Sequence, residues 1–314
     1  MSTNFKICIG VPTFKRKESL EELMDSLNNL SFNYLPIDVF VADNDSVQQM
    51  GVKTIASMST SLTNLKVSTS VVLGKGISAV RNRIMEFAFF ENDFDFLVMI
   101  DDDEFVDSSW LVELMNTQKT YNADVVGAHI LPDFTHVKKK SWMEHLNIYF
   151  DSPRQDGATD LIEASGAVLL SRNFFRKNPT LQFDLEFGLT GGEDKDFFIR
   201  AKKLGCTFAY ARNAICYEAI PLARATIQWA FWRSYRIGSC DARISIKYSS
   251  KPNVQKVKII AYSTFAVCAN IILLIGDLLN PSRMPKRLCS IARQLGKVSS
   301  VFRLNKKFYG GDVC

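Results

Sequence analysis

Four short β-rich runs in the first hundred residues, each separated from the next by a segment of helical spacing, restrict this chain to a sheet covered by helices. Ile7–Val11 stops at Pro12, and Ile37–Ala42 stops at Asp43-Asn44-Asp45-Ser46. Leu65–Val72 stops at Gly74-Lys75-Gly76, and Phe96–Ile100 runs straight into Asp101-Asp102-Asp103-Glu104. Strands with so little polar content have no solvent face, which is the mark of a mostly parallel sheet buried on both sides. Between them, Glu18–Leu30 carries apolar residues at 20, 23, 24, 27 and 30, the stripe of an amphipathic helix. Val47–Met58 and Ser78–Phe90 read as the next two helices. The class is therefore α/β, a mostly parallel sheet flanked by helices.

Past residue 110 the alternation loosens. Trp110–Thr120 reads as a helix, and Val125–Ile130 and Ala167–Ser171 as strands. Phe134–Thr159 is irregular around Lys138-Lys139-Lys140, and Glu193–Leu204 is a helix closed by Gly205. The net charge of +5 is uneven. Residues 251–314 hold eleven Lys and Arg against Asp277 and Asp312, so the first 250 residues are slightly acidic. A nucleic-acid binder would spread its basic residues over the folded body, so no nucleic-acid partner is expected. The seven cysteines contain no C-x-x-C, and the three histidines lack the spacing of a zinc helix. Thiols in a reducing compartment are the expectation, and the N-terminus shows no apolar run of a signal peptide.

The carboxyl ends of the strands are where an open α/β sheet binds its ligands. Two carboxylates one residue apart on an exposed turn, Asp101 and Asp103, suit a hard divalent cation that bridges phosphates. An acidic turn can also cap the helix that follows Ser108 and Ser109, although four consecutive acids exceed what a cap needs. Gly74-Lys75-Gly76-Ile77-Ser78-Ala79 fits the dinucleotide fingerprint G-x-G-x-x-G/A, which keeps a dinucleotide-binding oxidoreductase as the alternative. Against it, the match falls at the third strand and not the first. Glu193-Asp194 after Gly191-Gly192 opens a helix, either as a plain acidic N-terminus or as a carboxylate presented to a cleft.

In this order the motifs resemble the family 2 glycosyltransferases of GT-A fold, in particular the bacterial exopolysaccharide branch with succinoglycan-type enzymes. The matching segments are Val11-Pro12-Thr13-Phe14-Lys15-Arg16, Val41-Ala42-Asp43-Asn44-Asp45-Ser46, Gly76 with Ala79-Val80-Arg81-Asn82, Ile100-Asp101-Asp102-Asp103, and Gly191-Gly192-Glu193-Asp194. Tyr217-Glu218-Ala219-Ile220-Pro221 and Trp229 through Gly238 resemble that branch specifically; the tail from Gly296 to Tyr309 does so loosely. The resemblance implies a nucleoside diphosphate sugar as donor, a glycan or lipid-linked acceptor, and Mg²⁺ or Mn²⁺ as cofactor. It implies base, ribose and donor contacts at Pro12, Thr13, Phe14, Arg16, Asp43, Lys75, Arg81, Asn82, Asp101 and Asp102, with Asp103 and Asp101 on the metal. Asp194 matches the catalytic base of a single in-line displacement that inverts the anomeric centre, with Gly192 and Glu193 as accessory residues. Glu218 stands where many relatives carry a metal-binding His. The Q-x-x-R-W signature of processive members is only approximated by Gln228–Arg233, which implies single additions.

The expected division is a catalytic domain over 1–240, with a donor half to about 105 and an acceptor half beyond, and a helical basic region over 241–314. Residues 259–276 are eighteen uncharged residues, the lower limit for a membrane-spanning helix. Five basic residues flank each side, so the positive-inside rule sets no orientation. A helix lying in the membrane interface, on the cytoplasmic face of the inner membrane, is the expectation, with a single span and a soluble core helix as alternatives.

Overall fold

The computed structural model describes residues 5–32, 36–150 and 154–302. The described part of the tail stops at Phe302, so the end of the Gly296–Tyr309 match lies outside it. The chain forms two compact units. The first takes in residues up to 131, 153–189 and 193–219; the second takes in 132–152, 190–192 and everything from 220 onward.

The first unit is built on one mixed sheet. β1 (Ile7–Thr13), β2 (Ile37–Asp43), β3 (Leu65–Val71) and β4 (Phe96–Met99) are its parallel half, in the order β3-β2-β1-β4. The rest is mixed: β8 (Val168–Ser171) lies antiparallel between β4 and β6 (Val125–Asp133), β9 (Phe208–Ala219) follows β6, and β5 (Glu104–Val106) and β7 (Gly157–Thr159) pair antiparallel with β9. The parallel expectation thus holds for β1 to β4, where each strand returns through a helix, and β8, β5 and β7 interrupt it by running against their neighbours.

Strand order also dictates curvature. Only residues 100–103 separate β4 from β5, a reach of roughly 17 Å at full extension. Four ladder steps of about 4.8 Å would put those strands roughly 19 Å apart on a flat sheet. The sheet must curl to bring β5 back, and the curl sets the acidic turn between β4 and the end of β9.

Both faces of the sheet are buried, as its apolar strands require. Ile9, Val11, Val39 and Val98 meet α1 (Lys17–Asn28), α2 (Met50–Met58) and α4 (Trp110–Tyr121) on one side. Cys8, Phe40, Leu97 and Met99 meet α3 (Ile77–Glu86), α5 (Arg172–Lys177) and α6 (Glu193–Lys203) on the other. Gly10 allows α3 to close on β1: a Cβ there would lie 2.2 Å from the Ile84 side chain. That approach carries Arg81, one turn earlier, to the ends of the strands. Pro12 lies inside β1 and does not end it, because pairing with β4 stops at Gly10 and only β2 flanks the strand beyond. The expected helix from Val47 starts only at Met50; Gln49 before it takes a left-handed φ of 52°.

The second unit has its own core. Phe134–Thr159, expected to be irregular, contributes Val137, Trp142, Met143, Leu146 and Tyr149, which pack on Ile220, Ala230 and Cys289. Its helices are α7 (Ile227–Lys247), α8 (Pro252–Gly276) and α9 (Met284–Val301). The expected boundary at 240/241 falls in the middle of α7, whose buried face of small residues continues on both sides of it.

Candidate active site

The acidic turn after β4 is a pair of opposed carboxylate sites held by two arginines. Asp102 points back under β1. It accepts from the Thr13 hydroxyl at 2.8 Å, the Phe14 amide at 3.4 Å and Arg16 Nη1 at 2.9 Å. The same Arg16 nitrogen lies 2.9 Å from Asp103 Oδ2. Lys15 takes a φ of 54°, and this strained turn keeps Arg16 over the carboxylates. Asp102, expected to touch the donor, is instead the buried post that shapes the Pro12–Arg16 loop.

Arg81 ties the turn to α6. Its guanidinium is 3% exposed and lies among three carboxylates. Nη2 donates to Asp101 at 3.0 Å, and Nη1 donates to Glu193 at 2.7 Å and to Asp194 at 2.5 Å. Burial works against this cation, but Asp194, Asp101 and Glu193 overcome it and raise its pKa above the ordinary arginine value. Ser165, fully buried, donates to the same Asp194 oxygen, Oδ1, at 2.5 Å. Asp194 therefore has one oxygen held by two donors, and its side chain remains 23% exposed against 6% for Glu193. Of the acidic pair that opens α6, Asp194 is the more exposed.

Gly191 and Gly192 adopt φ of 83° and 91° immediately before α6, which turns the chain so that the helix begins on these carboxylates. Glu218 lies opposite Glu104 in the β5–β9 ladder, and the Ala219 amide donates to the Asp103 carbonyl. Like charges directly opposite repel. Glu104 is buried, its carboxylate accepts from the Asp101 amide, and burial, Asp101 and Asp103 push its pKa well above the carboxylate range. Gly166 makes room for it, since a Cβ there would meet Glu104 Oε1 at 2.6 Å. Ser165, Gly166 and Ala167, the last at a left-handed φ of 49°, thus form one turn that serves both Asp194 and Glu104.

Ser165 and Glu104 escaped the sequence reading. Ser165 has no motif around it, and Glu104 looked like one more acid of a run. Two other expected donor contacts are committed elsewhere. Asp43 is fully buried and accepts from the Asp45 and Val52 amides. Asn82 exchanges two hydrogen bonds with the backbone of Phe183, at 2.9 and 2.7 Å, which fasten that segment to α3. Lys75 and Phe14 are exposed at the rim. The glycine loop does not cradle a pyrophosphate: Gly76 donates to Asn44 Oδ1, and the first amide of α3, Ile77, donates to the Gly188 carbonyl. The helix end that a dinucleotide would need is closed by protein.

This arrangement meets its relatives at the level of sequence. Residues 8–178, more than half of the chain and covering β1, the glycine loop and the acidic turn, match Glycosyl transferase family 2. The chain belongs to that family. It is 28% identical over 249 residues to succinoglycan biosynthesis protein ExoM of Rhizobium meliloti, across 76% of this chain and 74% of that one. Solved structures share the fold at lower identity. Staphylococcus aureus TarS 1–349 with UDP superposes with a TM-score of 0.53 at 16% identity, covering 98% of this chain and 94% of its own. The mannosyltransferase PcManGT of Pyrobaculum calidifontis, in complex with GDP-Man and Mn²⁺, gives 0.60 at 15% identity, covering 96% and 88%. As a family 2 glycosyltransferase of GT-A fold, the enzyme is a sugar transferase, and the oxidoreductase alternative is set aside.

Burial pushes the Asp102 carboxyl up to about 7, with Arg16 opposing and Asp103 adding to the rise. The folded enzyme therefore binds a proton that the unfolded chain, titrating near the ordinary carboxylate value of 3.8, has already lost. Stability from this site is full below pH 4 and disappears as pH rises through 7, a change of about 4 kcal/mol at most. In EDTA, melting temperature should fall from pH 5 to pH 8, and Asp102→Asn should flatten that fall. Parallel slopes for the two proteins would remove Asp102 as its source.

Proposed function

We propose that this glycosyltransferase moves a sugar from a nucleoside diphosphate donor to a glycan, carried on a lipid, in bacterial exopolysaccharide synthesis. The transfer is a single inverting displacement. The observation that carries this reading is Arg81, which binds Asp101 of the acidic turn and Asp194 of α6 through one buried guanidinium. It holds the carboxylate of a donor site and the carboxylate of an acceptor site a single side chain apart. The relation to ExoM supports the exopolysaccharide assignment, and UDP and GDP-Man on the two structural neighbours support the donor class.

The residues fit a divalent cation. Asp101 and Asp103 offer hard oxygens, Glu218 lies beside them across the ladder, and burial and repulsion lift Asp101 and Glu104. Among the described residues no three side chains converge as a closed cage. That suits Mg²⁺ or Mn²⁺, which take one or two carboxylates and complete their shell with phosphates and water. A cation held there supplies positive charge for a departing diphosphate. The protein's own part is threefold: Arg16 and the Pro12–Phe14 turn bound the donor side, Arg81 and Ser165 orient Asp194, and Asp194 accepts the acceptor hydroxyl proton as that oxygen attacks the anomeric carbon.

Calorimetry with UDP and with GDP, in EDTA and in Mn²⁺, tests the donor site. Mn²⁺ should tighten the preferred nucleotide by about 10-fold or more, equivalent to roughly 1.4 kcal/mol. Asp103→Ala should erase the difference without lowering the melting temperature. Equal affinities in EDTA and Mn²⁺ for both nucleotides would refute the metal assignment.

A further inference from the structure

The basic C-terminal helices pose a question that composition alone leaves open: whether α8 crosses a membrane or lies upon one. Within the second unit α8 and the turn after it, Pro252–Leu279, are long and apolar enough to cross, and only 6% of their most apolar window is buried. The buried residues of α8, Ile259 and Ser263, mark a narrow inner edge. Its outer side carries Phe265, Ile272 and Ile275, each more than 60% exposed, and the turn beyond ends in Leu279 at 96%. An apolar surface of this extent does not stay in water.

What lies beside α8 decides the geometry. Seven residues, 277–283, return the chain into α9, and the two helices pack against each other. The Ser263 hydroxyl donates to Gln294 Oε1 at 3.1 Å in a buried pair, and Lys297 Nζ sits 5.8 Å from the Tyr262 ring centre. Arg287, near the turn, bonds to Asp277 at 2.7 Å. α9 therefore runs back along the second half of α8, bringing Lys286, Arg287, Arg293 and Lys297 level with the uncharged stretch. It is not free to move away: a Cβ on Gly238 of α7 would lie 1.9 Å from the Arg293 carbonyl, and one on Gly296 would lie 2.0 Å from the Tyr235 carbonyl. If α8 spanned a bilayer, these cations would be drawn to hydrocarbon depth, where each is costly to place.

We infer that α8 and α9 form one hairpin that lies flat in the face of an anionic bilayer, with the outer side of α8 and Leu278-Leu279 among the acyl chains, and that it does not cross. This rests on the reading of the enzyme as one that works at a membrane surface. Charge selects the occupant. Residues 241–302 hold ten Lys and Arg against two acids, Asp241 and Asp277, which are paired with Arg293 and Arg287 and leave the surface strongly basic. Anionic headgroups complement that surface, whereas a second copy would set cation against cation.

Native Cys268, exposed on α8, is a built-in probe, because the other described cysteines are buried. Full-length protein should float with phosphatidylglycerol-containing vesicles about ten-fold more than with phosphatidylcholine alone, and high salt should release much of it. A membrane-impermeant maleimide should label Cys268 in solution and be excluded once vesicles are bound. In a chain with Cys268 and Cys314 changed to serine, Leu279→Cys should stay unlabelled by reagent trapped inside the vesicles. Labelling from the lumen would show that α8 spans, which overturns the geometry and leaves the membrane reading standing. Protein that ignores both vesicles, with Cys268 shielded in a dimer, would overturn the membrane reading as well. Ile272→Glu should abolish flotation while nucleotide binding persists; loss of both would identify α8 as a folding element instead.

Discussion

Asp194→Asn should slow sugar transfer by about 10²–10⁴-fold, the usual loss when a general base is removed. The amide keeps the size of the side chain, and its oxygen can still accept from Arg81 and Ser165, which hold Asp194 Oδ1 at 2.5 Å each. What it lacks is a second oxygen able to take a proton. The loss should therefore fall on kcat, with calorimetric affinity for UDP or GDP within a few-fold of wild type. Glu193→Gln is the control. Glu193 is 5% exposed and bonded to Arg81, so its change should register mainly in stability. If Asp194→Asn transferred at near-wild-type rate while Glu193→Gln did not, the base would be Glu193 and the reading of α6 would be reversed.

Arg81→Met should be the most destabilising single change in the site. Methionine fills much of the same volume but leaves Asp101, Glu193 and Asp194 without the cation they share. Removing one partner from a buried ion pair costs roughly 3–5 kcal/mol. Glu193 stays buried here while Asp194 and Asp101 are partly exposed, so the cost should lie near the lower end of that range. Those charges can escape by taking up protons, so the penalty should be largest near pH 8 and shrink towards pH 5. Chemical denaturation of both proteins at the two pH values measures it. A penalty below about 1 kcal/mol at pH 8 would mean that the cluster is solvated and that Arg81 acts as a surface ion pair.

Much of the fold could be read from local pattern. The four β-rich runs became β1 to β4, the helical spacing at 20, 23, 24 and 27 became the buried face of α1, and Gly205 follows the last turn of α6. The acidic turn was conspicuous because no capping role needs four acids. The donor contacts were less legible. Asp43, Asn82 and Asp102 sit in motifs that pointed to ligand, yet each is engaged by the protein itself: Asp43 by two amides, Asn82 by Phe183, Asp102 by Thr13 and Arg16. A motif records which residue types recur together, and it does not say which of them face the cleft and which build its wall.

Ser165 shows the other side of that limit. It lies 29 positions from Asp194 in the chain and meets it because β8 runs antiparallel beside β4. The uncharged stretch at 259–276 is similar: its flanking charges made an in-plane helix the expectation and a single span the alternative, and the packing of α9 against α8 is an argument the chain order does not carry. The sequence alone determined the α/β class, the place of the acidic turn and the apolar character of α8. Each depends on side chains a few residues apart, whose spacing matches the repeat of one helix or strand. Only the tertiary structure decided that Arg81 serves three carboxylates, that Ser165 holds Asp194, and that cations line α8. These are pairings between distant segments, created by strand order and helix packing, and no periodicity along the chain encodes them.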